Sequence, residues 1–111
     1  MNIVINLIIM TLAVYIAAYL TPGVIVVNLF NTFLAAVVLG ILNSIIKPIL
    51  LILTLPVTII TFGLFIFVLN AAMVLLASAL VDGFYVENFL SALLFSFVLS
   101  LVSYFLSKLG N

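Results

Sequence analysis

The sequence predicts an all-α integral membrane protein with four transmembrane helices, arranged as two parallel-repeat helical hairpins in a single domain over residues 1–111. Three observations predict this fold: the composition, four continuous apolar runs, and an internal repeat. Of the 111 residues, 70% are hydrophobic and only four are charged, whereas a soluble domain carries about 25% charged residues. Such a chain cannot cover a water-soluble surface, so its composition excludes a soluble globular protein.

The apolar runs are long enough for membrane helices, which need about 20 residues each. They cover roughly residues 3–20, 29–46, 57–81 and 89–108. Turn signals separate them at Thr21-Pro22-Gly23 and at Asp82-Gly83. The runs are continuous rather than alternating, so we expect helices and not barrel strands. The first run has no preceding basic residue and no clear cleavage site, and we therefore expect a retained helix rather than a signal peptide.

The segment between the second and third helices is too apolar for a solvated loop, and it contains the helix-breaking residues Pro48 and Pro56. Two interpretations are open. The second helix ends near Lys47, and the following residues lie in the interface or re-enter the membrane. Alternatively, the second helix is kinked at Pro48 and continues to about Thr54, and Pro56 opens the third helix.

The four charged residues predict an orientation. Lys47 and Lys108 follow the second and fourth helices, whereas Asp82 and Glu87 lie between the third and fourth. Both lysines therefore fall on one side of the membrane, and the positive-inside rule makes that side cytoplasmic. We expect a multi-pass protein of the bacterial cytoplasmic (inner) membrane with both termini in the cytoplasm.

The two halves of the chain align without gaps at one constant offset. Gly23 then falls on Gly83 and Asn28 on Asn88, at corresponding turns. These matches indicate a duplicated hairpin. Because each unit crosses the membrane twice, both insert the same way up, which predicts a pseudo-twofold axis along the membrane normal.

Small and polar residues form stripes on the predicted helices. Members of these stripes are Gly40, Asn43 and Lys47 on the second helix, Gly63 and Asn70 on the third, and Ser96, Ser100 and Ser103 on the fourth. Their spacing keeps each stripe on one helical face. The stripes are either seams between packed helices or the lining of a hydrated path. If the second helix continues to Thr54, Asn43 and Asn70 fall at similar depth near mid-membrane. Their side chains would then either hydrogen-bond to each other or cap backbone groups of a neighbouring helix.

The residue types that are missing exclude several functions. The chain contains no His, Cys or Arg, so the usual ligands of zinc and haem and the usual nucleophile pairs are missing. We expect no enzyme activity, no cofactor and no metal. A net charge of zero gives no indication of nucleic-acid binding. The first helix carries no acid, so transport coupled to a buried carboxylate is not expected.

One motif string resembles a known family. It runs from Asn43-x-x-x-Lys47-Pro48 through Leu53-Thr54-Leu55-Pro56 to Gly63-Leu64 and Asn70-Ala71. This string is similar to that of a bacterial four-helix membrane family, the mycobacterial four-spanner phage holins of superfamily four. Asp82 departs from the family, which often has Pro there. The resemblance covers nearly the whole chain and implies a four-helix fold, but it assigns no functional residue.

The holin resemblance implies a small membrane protein that self-associates and permeabilises the bilayer. The alternative is a non-conducting structural or regulatory membrane subunit that binds a protein or lipid partner. In either case we expect the partners to be the lipid bilayer and either further copies of the chain or another membrane protein, with no nucleic acid.

Overall fold

The computed structural model describes residues 2–109, and most of them are helical. In chain order the elements are α1 Asn2–Leu20, β1 Val24–Val26, α2 Leu29–Ile41, a π-helical segment Leu42–Ile46, α3 Lys47–Leu53, α4 Leu55–Ile60, α5 Phe65–Leu80, β2 Phe84–Val86 and α6 Phe89–Leu109. Three stretches are long and apolar enough to cross a membrane, namely Ile3–Leu20, Leu29–Leu53 and Phe89–Leu109. The remaining long helix, α5, is apolar but has only 16 residues.

The long helices form one bundle around a shared core. Helix α1 packs against α2 and α6, and α5 packs against α6 and against both α2 and α3. Much of the core is alanine, which lets membrane helices approach closely; the fully buried alanines are Ala13, Ala17, Ala35, Ala36, Ala71, Ala77 and Ala92. The two largest fully buried side chains are Phe84 and Phe95, whose ring centroids lie 5.6 Å apart.

A two-stranded antiparallel ribbon closes one end of the bundle. Strands β1 and β2 pair with Val24 opposite Val86. Two further bonds extend the pairing, because the Val27 N–H donates to the Gly83 carbonyl and the Glu87 N–H to the Gly23 carbonyl, both at 2.8 Å. The sequence predicted only turns here. Such short strands, paired across more than half of the chain, leave no alternating pattern to detect.

Each strand leads directly into a helix that is capped in the same way. The side-chain oxygen of Asn28 accepts from the Asn31 N–H at 2.9 Å, and that of Asn88 accepts from the Ser91 N–H at the same distance. An asparagine at this position satisfies one of the amide groups that the first helical turn leaves without a partner. The two asparagines that match when the halves of the sequence are aligned therefore have one structural role.

The helix that begins at Leu29 continues through Lys47 and Pro48 to Leu53, with a π-helical turn in between. A proline ring in a regular α-helix would meet the carbonyl of the residue four positions earlier, here Ser44. The π-helical segment Leu42–Ile46 ends two residues before Pro48, and its wider turn, a single-turn bulge inside an α-helix, changes the backbone spacing at the Ser44 carbonyl. The structure therefore has the continuing helix rather than one that ends near Lys47.

The predicted third helix, residues 57–81, is divided in the structure. Pro56 opens the short helix α4, and the long helix α5 starts only at Phe65. A turn separates them, in which Phe62 and Gly63 have positive φ angles of 56° and 86°. The Gly63 N–H donates to the Thr58 carbonyl at 2.8 Å and ends α4. The prediction of one continuous helix was wrong because the turn contains no charged residue and lies inside an apolar run.

Candidate functional site

Five polar side chains from three helices line one cavity inside the bundle. They are Asn43, Lys47, Asn70, Ser96 and Ser100, and we call this space the polar cavity. Its volume is about 110 Å³. The remaining wall is apolar and consists of Leu39, Val74 and Leu99. Because ionisable and amide side chains are rare and costly among membrane helices, this is the candidate site of the protein.

Each polar side chain is positioned by a regular element. Asn43 lies in the π-helical segment, and Lys47 follows one turn later at the start of α3. Asn70 comes from the facing helix α5, while Ser96 and Ser100 lie one turn apart on α6. Asn43 and Ser100 are exposed at the edge of the cavity, Lys47 and Asn70 are half-buried, and Ser96 is buried.

The two serine hydroxyls are already used as donors. Ser96 Oγ donates to the Leu93 carbonyl at 2.8 Å, and Ser100 Oγ donates to the Ser96 carbonyl at 2.9 Å. A serine has one hydroxyl proton, so toward the cavity these groups offer only oxygen lone pairs. The donors that remain for a ligand are therefore the Lys47 ammonium and the two asparagine amides.

The polar cavity lies far from the acidic residues of the chain. Asn43 lies about 21 Å and Lys47 about 27 Å from the helix start at Leu29, at about 1.5 Å per residue. Asp82 and Glu87 flank β2 at the ribbon end. No carboxylate lines the cavity among the residues the structure describes, so Lys47 gives it a net positive charge.

A second cavity lies between α1, α2 and α6. Its volume is about 380 Å³, and its lining includes Asn6, Met10, Ala36, Gly40, Ser103 and Ser107. When the two halves of the chain are aligned, five of these residues fall on the five side chains of the polar cavity. Met10 corresponds to Asn70, Ala36 to Ser96, Gly40 to Ser100, Ser103 to Asn43, and Ser107 to Lys47.

The structure separates residues that the sequence pattern grouped together. The predicted serine stripe is shared between two spaces, because Ser96 and Ser100 face the polar cavity whereas Ser103 lines the second cavity. Gly40 also lines the second cavity, and a Cβ atom built there meets nothing within 4 Å. Gly63 lies in the turn before α5, so it does not share a helical face with Asn70.

Some features of the site were not predicted. Neither Asn6 nor the apolar wall of the polar cavity was singled out from the sequence. Asn6 is the one amide side chain in the first apolar run, residues 3–20, which was the available signal. No hydrogen bond joins the side chains of Asn43 and Asn70 among residues 2–109, although both line the same cavity. Within that range no group of His, Cys, Asp or Glu is arranged to hold a metal ion.

Comparison with known proteins gives one family and two relatives. The family described as mycobacterial 4 TMS phage holin, superfamily IV, matches residues 1–105. An uncharacterized membrane protein of Bacillus subtilis, YvlD, is 43% identical over 68% of the chain and 64% of its own length. An uncharacterized protein of Streptomyces coelicolor, SCO3922, is 42% identical over 65% of the chain and 61% of its own length. The chain thus spans less than two thirds of either relative. No solved structure is significantly similar.

Proposed function

Because the chain belongs to the family of mycobacterial phage holins with four transmembrane segments, superfamily IV, we propose that it self-associates in the bacterial inner membrane and makes the bilayer permeable. In this proposal the chain crosses the membrane four times, as two helical hairpins related by a pseudo-twofold axis. The relatives carry no assigned activity that would contradict or extend this.

The four crossings are supported by the lengths and order of the helices. Three stretches reach spanning length, and the 16 residues of α5 extend about 24 Å at about 1.5 Å per residue. A hydrocarbon core of about 30 Å would then be completed by the apolar turn before α5. Both acids lie at the ribbon end and both lysines toward the opposite end, which fits the lysine end in the cytoplasm.

The observation that carries the proposal is the polar cavity. Its lysine, amide and hydroxyl groups are gathered among apolar helices, and polar groups at such depth often mark solute or ion pathways. A cavity of about 110 Å³ is not a conduit by itself. We therefore assign permeability to an assembly of several chains, in which the polar cavities supply hydrophilic groups within the membrane.

The outer surface is apolar over most of the bundle, which is compatible with contacts between copies but does not favour them over lipid. Exposed large side chains include Phe30, Phe33, Ile52, Phe67 and Phe97. Such a surface contacts lipid tails or other helices equally well, because lipid is as apolar as the side chains and gives no hydrophobic preference for either.

A specific observation favours the alternative, a non-conducting membrane subunit. Ser96 is only 6% exposed, and both serine hydroxyls of the polar cavity donate to carbonyls of their own helix. Ser96 therefore faces the inside of one bundle, and the exposed Ser100 has no hydroxyl proton left to donate to a neighbouring copy. A subunit of this kind would bind a lipid or protein partner and leave the membrane potential intact.

Membrane potential during controlled expression in a bacterium tests the proposal, with a voltage-sensitive dye as the readout. We expect a collapse with the unchanged chain and a reduced effect with Ser100→Leu, which fills the polar cavity. Ser103→Leu is the matched control, since Ser103 lies one turn away and lines the second cavity. An unchanged potential at equal membrane expression of the wild-type chain would contradict permeabilisation and favour the subunit.

A further inference from the structure

Two cavities of the bundle lie at equivalent places, and within residues 2–109 a charged side chain lines only one of them. Matching positions of the two halves line the two spaces, with Lys47 in the polar cavity and Ser107 at the equivalent place in the second. The same comparison sets Asn70 against Met10 and Ser100 against Gly40. The two halves of the chain thus share a backbone arrangement and differ in the chemistry of one space.

The difference in residues between the two cavities shows which side chains helix packing requires and which it does not. The second cavity shows that methionine, alanine and glycine fit at three of the five matching positions. Helix packing therefore does not require Asn70, Ser96 or Ser100 in the polar cavity. Polar and charged groups in a membrane interior are destabilising unless they find partners. The two serine hydroxyls already donate to carbonyls of their own helix. The side chains of Asn43, Lys47 and Asn70 line the same small space, and these three are best explained by a ligand that binds there.

The charge of the polar cavity determines the class of that ligand. Lys47 is half-buried, and no carboxylate lines the cavity in the described part of the chain. The acidic side chains, Asp82 and Glu87, flank strand β2 at the ribbon end, whereas Lys47 lies about 27 Å along its helix from the start at Leu29. Among residues 2–109 no acidic side chain lies at the cavity to balance the ammonium, so an anionic ligand would supply the counter-charge. The amides of Asn43 and Asn70 add N–H donors beside it.

We propose that the polar cavity is a binding site for one anionic group of phosphate size, held by the Lys47 ammonium and by the amides of Asn43 and Asn70. The volume of about 110 Å³ suits a ligand no larger than a few water molecules, at about 30 Å³ for each water. Binding of this kind requires neither self-association nor permeability, so the inference goes beyond the proposed function and stands or fails separately.

Two sources supply this chemistry. One is the phosphate of an anionic lipid headgroup, and the other is a free inorganic anion. Lys47 lies about 27 Å from the helix start at Leu29, near the far edge of a hydrocarbon layer of about 30 Å. Headgroups begin at that depth, and the cytoplasmic leaflet is rich in anionic lipid. Both sources therefore reach the cavity, and the experiment distinguishes them.

The test is the thermal unfolding midpoint of the whole chain, purified in a neutral detergent. The protein is titrated with phosphatidylglycerol, with phosphatidylcholine as the zwitterionic comparison, and separately with inorganic phosphate at constant ionic strength. We expect a saturable rise of the midpoint with an anionic ligand and none with phosphatidylcholine. A response to phosphatidylglycerol alone assigns a lipid headgroup, and a response to phosphate as well assigns a site open to free anions.

Substitutions test whether the rise of the unfolding midpoint comes from binding in the polar cavity. Lys47→Ser introduces the residue of the second cavity and should weaken apparent affinity at least about tenfold, since a lost charge-assisted bond costs about that much. Lys108→Ser is the matched control, because it removes a lysine that is exposed and lies over the Tyr104 ring; it should leave the affinity unchanged. If Lys47→Ser does not fold, Asn70→Met should weaken binding and Lys47→Arg should retain it.

Two results would overturn the inference. One is the absence of a saturable response of the wild-type chain to any of the anionic ligands. The other is an equal loss of response in Lys47→Ser and Lys108→Ser, which would reduce the effect to general attraction between anions and a basic surface.

Discussion

Gly83 lies so close to Asn31 that a Cβ atom at position 83 would overlap the asparagine side chain. The matching contact is made by Gly23, where a Cβ atom would overlap Ser91. In both places a glycine of one half of the chain faces the first helical turn of the other half. Both glycines also have positive φ angles, 85° at Gly23 and 91° at Gly83, which glycine adopts without the steric cost that other residues meet.

Gly83→Ala should therefore lower the free energy of unfolding by at least about 2 kcal/mol, from the strained backbone and the overlap with Asn31 together. Unfolding by sodium dodecyl sulfate in mixed micelles measures this. Gly40→Ala is the matched control, because Gly40 is helical and a Cβ atom there meets nothing within 4 Å. It should raise the stability by about 0.5–1 kcal/mol. Equal effects of the two substitutions would contradict the close approach at the ribbon.

Two substitutions of each capping asparagine should differ in their cost to stability, depending on whether a hydrogen-bond acceptor remains. Asn28→Ala removes the acceptor of the Asn31 N–H and should cost about 1 kcal/mol of stability, whereas Asn28→Asp keeps an acceptor and should cost little. The same pair at Asn88 should behave alike, since its bond to Ser91 has the same length. Circular dichroism during detergent unfolding reports the midpoints. Equal unfolding midpoints of the Ala and Asp variants would show that the capping hydrogen bond does not contribute to stability.

Ser78 ties the ribbon to helix α5 and has no counterpart in the first half of the chain. Its hydroxyl donates to the Phe84 carbonyl at 3.0 Å and accepts from the Val86 N–H at 3.1 Å, whereas position 18 is an alanine. Ser78→Ala should cost about 1–3 kcal/mol, because a partly buried N–H loses its acceptor. Ser100→Ala, whose hydroxyl bonds only within its own helix, should cost less in the same unfolding measurement.

Because the sequence contains no cysteine, one introduced cysteine reports which side of the membrane its position faces. Glu87→Cys places a thiol at the ribbon end, and Leu109→Cys places one at the opposite end of the bundle, where the side chain is 83% exposed. With the lysine end in the cytoplasm, a membrane-impermeant maleimide should label position 87 in intact spheroplasts and position 109 only after permeabilisation. The reverse pattern would invert the orientation, and labelling of both from outside would contradict it.

Much of the helical framework follows from the sequence, because continuous hydrophobicity over about 20 residues leaves few alternatives in a membrane. The family resemblance carried by the string from Asn43 to Pro56 is confirmed by the match over residues 1–105. The turn at Phe62 and Gly63 was missed because apolar side chains flank it. A break of this kind is recognisable only from the positive φ angles.

The candidate site was predictable on one helix but not across helices. A spacing of four residues places Asn43 and Lys47 on one face whatever surrounds them. Which face of α5 meets them depends on where that helix begins and how the bundle is arranged. The sequence predicted only that Asn70 lies at a depth similar to that of Asn43. The shared cavity of Asn70 and Lys47, and the division of the serines between two cavities, required the structure.

The pairing of β1 with β2 also sets an order of events during biosynthesis. The partner of β1 leaves the ribosome later by about 3–12 s, at a synthesis rate of about 5–20 residues per second. Until then β1 presents unpaired backbone groups, and such an edge is a template for pairing with another strand. The N-terminal hairpin must therefore wait at the membrane for its second half, or pair with the same strand of a neighbouring nascent chain.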